Sequence, residues 1–381
     1  MRRAVAALAL AALVACGSPA SQTPESQAAR AGSQAATAVA LSKPPPVGTA
    51  LAAPPGSSPA AASKPVAVEG RVVFVRDDGL TLSEGGQTRV VFKAAVGGQV
   101  KDPAWSPDGK TIAFAYAAPR PTPRARAPIV EQLLSSDVML IDADGQNLRP
   151  GAPHDGPGQI LETPSWSGDG KAIYFSYYAP TYKGEELVSE ALEVRRREIG
   201  SAASTTVVAG ASNPAPSRDG QWLAFVGEDP SEGQSLKLIP AAGGQAKTLV
   251  KADRFAALLS PRFSPDGQTI AFSAASIPTN PGARQPKGSA PLDLLRQLVV
   301  PASAYAHGLP WEIWTIPTAG GEPKQITQIQ EDTPYAAWSA DGARLLVYGA
   351  GGLHRVDVKA TQTQTLSSDG AHGGMDWRSI P

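Results

Sequence analysis

Two sets of residues in this chain have the chemistry to attract a ligand. The first is a series of aspartates, Asp108, Asp169, Asp219, Asp266 and Asp341, each followed by glycine at Gly109, Gly170, Gly220, Gly267 and Gly342. Five carboxylates brought to one axis could hold a metal or meet a cationic substrate. The same Asp-Gly pair also closes a hairpin: the aspartate hydrogen-bonds nearby backbone, and glycine accepts the φ > 0 that a tight turn needs. The flanking residues favour the turn. PAWSPDGKTIAFAY from Pro103 recurs as PSWSGDGKAIYFSY from Pro164, PAPSRDGQWLAFVG from Pro214, PRFSPDGQTIAFSA from Pro261 and AAWSADGARLLVYG from Ala336.

The second set is basic and aromatic. Arg120, Arg124 and Arg126 crowd one Pro-rich stretch, and Arg195 to Arg197 form another cluster. Tyr177, Tyr178, Tyr182, Tyr305 and Trp311 fall in or beside stretches that interrupt the repeats. Arginines could dock an anionic polymer or headgroup, and aromatics could stack on sugars or anchor a peptide.

Other chemistry is sparse. None of the four histidines, His154, His307, His354 and His372, has a second ligand at zinc-site spacing. Asp142, Asp144 and Asn147 resemble the start of a calcium loop but lack its bidentate glutamate. Gly156 and Gly158 have neither the third glycine nor the βα unit of a dinucleotide site. No G-x-S-x-G elbow occurs, and Cys16 is the only cysteine. No catalytic residue, metal or cofactor is expected.

The elements that position these residues are short strands. Each repeat reads as two strands joined at Asp-Gly, with Ile112 and Phe114 on one face and Ala113 on the other. Apolar residues on both faces require cover on both, which radially stacked blades supply. A second hairpin recurs as IDADGQNLRP from Ile141, IPAAGGQAKTL from Ile239, IPTAGGEPKQIT from Ile316 and LSEGGQTRVV from Leu82, with weaker forms from Glu193 and His354. Residues 71–76 look like a second strand without its first, and MDWRSIP from Met375 like a first strand without its second. The chain is therefore expected to be all-β, a six-bladed β-propeller over 69–381, with the last strand closing the first blade. Turn aspartates lie 61, 50, 47 and 75 residues apart, against about 40–45 for a minimal blade. The excess falls at 117–136, 178–190 and 275–310, the last with a short helix expected at 292–300. All three follow the second strand of a blade, so they should decorate the face opposite the Asp-Gly turns. Loops on a rigid scaffold commonly carry binding.

WSPDGKTIAF, FSPDGQTIAF and IDADG resemble the WD40-like PD40 repeat of TolB-type six-bladed propellers, over roughly residues 70–381. The resemblance implies the fold and leaves activity open. A similar repeat precedes the α/β-hydrolase domain of prolyl oligopeptidase-like peptidases, and residues 69–381 are expected to hold no such domain. Some six-bladed propellers are lactonases or lyases with a metal in the channel, which stands as the alternative function.

The N-terminus has its own signal. Met1-Arg2-Arg3 precedes an apolar run from Ala4 to Ala15, too short to span a bilayer and fitting a secretory signal. Leu13-Val14-Ala15-Cys16-Gly17 resembles the bacterial lipobox, implying a signal peptide over 1–15 and lipidation of Cys16. Residues 16–68 are rich in Ala, Pro and Ser and read as a disordered tether, about 40 Å end to end as a coil. Lys plus Arg and Asp plus Glu each number 34, and losing Arg2 and Arg3 with the signal leaves a net charge of −2, so nucleic acid is not an expected partner. The expected protein is an extracytoplasmic, membrane-anchored module of the bacterial cell envelope that binds or scaffolds a protein, peptide or cell-wall polymer.

Overall fold

The computed structural model describes residues 68–119, 132–229, 232–276 and 309–378. They form six four-stranded antiparallel sheets, and no α-helix occurs among the described residues. From the axis outward, blade 1 is β24 (Met375–Arg378), β1 (Arg71–Arg76), β2 (Gly79–Glu84) and β3 (Gln87–Lys93). Blade 2 is β4 (Gln99–Trp105), β5 (Thr111–Ala117), β6 (Asp137–Asp142) and β7 (Arg149–Ala152). Blade 3 is β8 (Ile160–Trp166), β9 (Ala172–Lys183), β10 (Glu186–Glu198) and β11 (Thr205–Ala209). Blade 4 is β12 (Ala211–Pro216), β13 (Trp222–Asp229), β14 (Gly233–Pro240) and β15 (Lys247–Val250). Blade 5 is β16 (Ala257–Phe263), β17 (Thr269–Ala275), β18 (Trp311–Pro317) and β19 (Lys324–Gln325). Blade 6 is β20 (Tyr335–Trp338), β21 (Arg344–Gly349), β22 (Gly352–Asp357) and β23 (Gln362–Ser367).

The ring closes as the split repeat requires. Met375 to Arg378 pair with Phe74 to Arg71, so the C-terminal strand is the inner strand of the first blade. Closure leaves no inner sheet edge open. The Trp377 indole donates to the Glu69 carbonyl at 2.7 Å, fastening the two ends of the ring together.

The apolar alternation is buried on both faces. Phe114, Phe175, Phe225 and Phe272, at one place in four blades, are all but inaccessible, and so are Ala113, Ala224, Ala271 and Leu346 between them and their neighbours. Each such phenylalanine contributes roughly 1.5–3 kcal/mol on burial. The paired glycines of the second hairpins, Gly85-Gly86, Gly243-Gly244 and Gly320-Gly321, all adopt positive φ.

The Asp-Gly turns have a third member, the serine two residues before each aspartate. Ser106 Oγ donates to Asp108 Oδ1 at 2.6 Å and accepts from Thr111 N at 3.0 Å, while Lys110 N donates to the same Oδ1 at 3.0 Å. Ser167, Ser217, Ser264 and Ser339 repeat this arrangement at their own aspartates. These carboxylates belong to the turns. The serine hydroxyl, and then the backbone N–H two residues on, hold each below the usual aspartate range.

One expectation changes. Residues 178–190 form no loop: β9 and β10 continue as a two-stranded ribbon, with Tyr178 opposite Leu192 and Tyr182 opposite Leu187. Most of 117–136 and 275–310, including the expected helix at 292–300, lies outside the described residues.

The depressed pKa values give stability a pH dependence of definite sign. Their contribution is complete above the normal aspartate range and drains as pH falls through the lower folded-state values. Changing all five aspartates to asparagine, which keeps an acceptor oxygen, should flatten the fall of unfolding free energy below about pH 4. Urea unfolding across acid pH reads this directly.

Candidate functional site

The innermost strands share a bulge that brings polar side chains to the axis. Asp102, Thr163, Asn213 and Ser260 adopt φ of 53°, 51°, 53° and 50°, and each precedes a repeat proline. The strand pairing shifts register at each of them. Left-handed φ is tolerated by Asp and Asn and costs Thr and Ser more. Proline beside it has no N–H to leave unsatisfied on the channel side. Gly374, at φ 97°, is the blade 1 counterpart.

Turned this way, the bulges bond blade to blade. Asp102 N donates to Gly373 O at 2.7 Å, and Thr163 N to Asp102 Oδ2 at 3.1 Å. Asn213 N donates to Ser176 Oγ at 2.8 Å, and that hydroxyl shares a 2.5 Å hydrogen bond with Thr163 Oγ1. Ser260 N donates to Asn213 Oδ1 at 3.1 Å, and Ser273 Oγ bonds Pro334 O in blade 6. Tyr335 completes the circuit by donating its hydroxyl to Asp102. It reaches there across Gly374, where a Cβ would sit 3.2 Å from the Tyr335 ring and 3.4 Å from Asp102 Cα.

Charges flank this belt. Lys101 Nζ lies 3.7 Å from Glu162 Oε1. Burial pushes Asp102 and Glu162 above the usual carboxylate range despite Lys101, which pulls both down, and burial likewise raises Tyr335. Raised values act opposite to the turn aspartates: what these groups add to stability is lost as pH rises through them.

On the turn side of the belt lies a cavity of about 500 Å³ at the axis. Trp105, Trp166, Phe263, Trp338 and Trp377 form its aromatic wall, and the turns themselves supply its rim through Pro107, Gly168, Arg218, Pro265 and Ala340. Gly168 is required there, because a Cβ would fall 2.0 Å from the Arg218 carbonyl. The indoles also join blades: Trp166 Nε1 donates to Ala104 O at 3.1 Å and Trp338 Nε1 to Arg262 O at 3.0 Å. Asp376 accepts from Trp105 N at 2.7 Å and Trp377 N at 2.9 Å.

The residues expected to bind are placed otherwise. Trp311 is 1% exposed and paired with Ala275, and Tyr178 is 3% exposed, its hydroxyl 3.4 Å from Glu190 Oε2. Both pack the protein's own interior and offer a partner no surface. Tyr182 is half-buried on the ribbon opposite the turns. Arg120, Arg124, Arg126, Tyr305 and Cys16 lie outside the described residues. Arg195 stacks on Tyr177 at 3.3 Å and pairs with Glu193 at 2.7 Å.

His154 pairs with Asp137 at 2.6 Å, and buried His354 with Glu331 at 2.9 Å. Among the described residues no three His, Cys, Asp or Glu side chains converge as metal ligands.

Six four-stranded blades around a closed axis define a β-propeller of the TolB-like type. TolB from Acinetobacter baumannii is similar at 16% identity and TM-score 0.54, over 82% of this chain and 67% of that one. A structure assigned as TolB from Agrobacterium tumefaciens is similar at 14% identity and TM-score 0.50, over 80% and 92%. An oligogalacturonate lyase from Vibrio parahaemolyticus aligns at 12% identity and TM-score 0.38, over 78% and 74%. No protein-family profile matches the chain, and no curated protein does. At these identities the likeness is one of fold.

The belt sets a stability expectation. Tyr335→Phe removes the hydroxyl that reaches Asp102 and should cost about 1–3 kcal/mol. Urea unfolding at neutral pH measures it.

Proposed function

We propose that this chain is a lipid-anchored binding module of the bacterial cell envelope, taking a projecting segment of its ligand into the channel mouth on the Asp-Gly face. The axial cavity carries the reading: it is concave, about 500 Å³, and walled by aromatic and arginine side chains from all six blades. Concave sites with apolar walls and a few polar groups are the usual ligand sites of a rigid scaffold. Aromatics and arginine are also the side chains enriched where partners dock.

The envelope setting rests on the lipobox-like run ending at Cys16 and on the fold shared with TolB structures. Two or more acyl chains hold a protein stably on a membrane where one does not. Cys16→Ser is expected to move the protein from the membrane pellet to the soluble fraction of lysed cells. Retention in the pellet would count against the anchor.

The two faces can be told apart by site-specific photo-cross-linking in cells producing the full chain. A benzophenone residue at Ala340, on the cavity rim, is expected to yield a discrete adduct. The same residue at Glu185, at the ribbon tip on the opposite face, is expected to yield none. Adducts from Glu185 alone would return the binding surface to the ribbon side.

A further inference from the structure

At one level of the channel wall the six inner strands contribute Ala104, Ser165, Ala215, Arg262, Ala337 and Asp376 to the cavity. Four are small. The two exceptions carry opposite charges and stand in blades 5 and 1, separated only by Ala337 of blade 6. Arg262 is half-buried, and its Nη1 donates to its neighbour's carbonyl, Pro261 O, at 3.0 Å.

Among the charged residues lining the cavity, Arg218, Arg262 and Arg378 outnumber the single carboxylate, Asp376. Arg218 stands on the rim, Arg378 on β24 and Arg71 on β1. Burial and then the nearness of Arg71 and Arg218 make Arg378 a weaker base than usual. On the other side stand Asp376, Asp102 one level deeper, and Asp108 beside Arg378. One donor of the cavity wall is buried without an acceptor, the Nε1 of Trp105, which is 6% exposed; the Nε of Arg71, behind it, pairs with Glu84 Oε1 at 4.0 Å. Arg71 lies over the Trp105 ring at 4.9 Å. The wall therefore carries more positive than negative charge and one unmatched indole donor.

We infer that the cavity receives an oxyanion of the ligand at Arg262, and that Asp376 couples this capture to the uptake of a proton. The inference rests on the channel mouth being the ligand site. Carboxylate, sulfonate and phosphate share the chemistry, each offering oxygens that a planar guanidinium can take in pairs.

The coupling follows from the charges. Burial pushes the Asp376 carboxyl up, and Arg262 is the largest influence holding it down, followed by the N–H groups of Trp105 and Trp377. An oxyanion at Arg262 engages that counter-charge and sets a like charge near Asp376, and both effects favour the protonated carboxyl. Asp376 then holds its proton more tightly in the complex than in the free protein. Affinity is greatest at pH below the free-protein titration and falls as pH rises through that of the complex. Asp102 and Tyr335, on β4 and β20, also feel Arg262 and respond with the same sign. Lys101 and Glu162 interact with Asp102 on its other side.

Methanesulfonate tests this, since its charge is fixed over the working pH range, and dimethyl sulfone is its neutral counterpart. Trp105, Trp166, Trp338 and Trp377 make intrinsic fluorescence of the full chain the readout, at constant ionic strength. Methanesulfonate should alter it saturably and dimethyl sulfone should not. A one-unit shift of Asp376 on binding produces about a tenfold fall in affinity as pH rises through its raised titration. Arg262→Ala should abolish binding and Arg262→Lys should weaken it. Asp376→Asn should bind with a flattened pH profile, and thermal unfolding of each variant checks that the ring is intact. Should Asp376→Asn fail to fold, proton uptake by the unaltered protein on adding methanesulfonate, measured in weak buffer, decides the coupling. Equal binding of dimethyl sulfone, or undiminished binding by a folded Arg262→Ala, overturns the oxyanion site. Binding without proton uptake overturns the coupling. None of these results would alter the Ala340 cross-link, so the inference can fail while the wider reading of the face stands.

Discussion

The structure depends on the bonding between blades at the bulge level. A propeller blade is a complete sheet whose ladder hydrogen bonds all run within it, so apolar packing and a few polar contacts must join it to its neighbours. Here the joining contacts sit at one height: Asp102, Thr163, Asn213 and Ser260 turn their amides sideways into the next or previous blade. Each pays with a left-handed backbone, at a cost of order 1–3 kcal/mol for non-glycine residues outside their favoured region. Proline beside each bulge ends ladder bonding on that edge. Where blade 1 has Gly374 in place of a polar bulge, the Tyr335 ring passes over it and makes the bond to Asp102 that the glycine lacks.

The ring was readable in the repeat because the forces that make a blade are local. Period-two burial around Ile112 and Phe114, the Asp108-Gly109 turn and the split pairing of Val72 with Trp377 all follow from residues a few positions apart, or from one unpaired strand at each end. The serine of each turn was visible as well, in five copies of Ser-x-Asp-Gly, but its role emerges only once Ser106 Oγ is seen bonding both Asp108 and Thr111 N.

The candidate site was harder to read for a physical reason. Its residues come one per blade, at intervals of about fifty residues, and each looks like ordinary variation within its own copy. Arg262 in PRFSPDG and Asp376 in MDWRSIP stand where the other copies carry Ala or Ser, and laying the six copies side by side is the signal that marks them. Trp311 and Tyr178 misled for the opposite reason. Tyr178 lies where strand pairing continues into the expected insertion, and Trp311 pairs with Ala275 at the edge of another, so both turn inward.

The small residues of that channel layer have a geometric meaning of their own. A ring of six similar units would present any entering group with six nearly equivalent seats, and a ligand spread over them has no preferred heading. Selecting one heading among six costs about 1 kcal/mol of orientational entropy, an RT ln 6 term on the affinity scale. Arg262 and Asp376, two blades apart among alanines and a serine, break that degeneracy and give the mouth a polarity. A socket with rotational pseudosymmetry thereby acquires a single orientation.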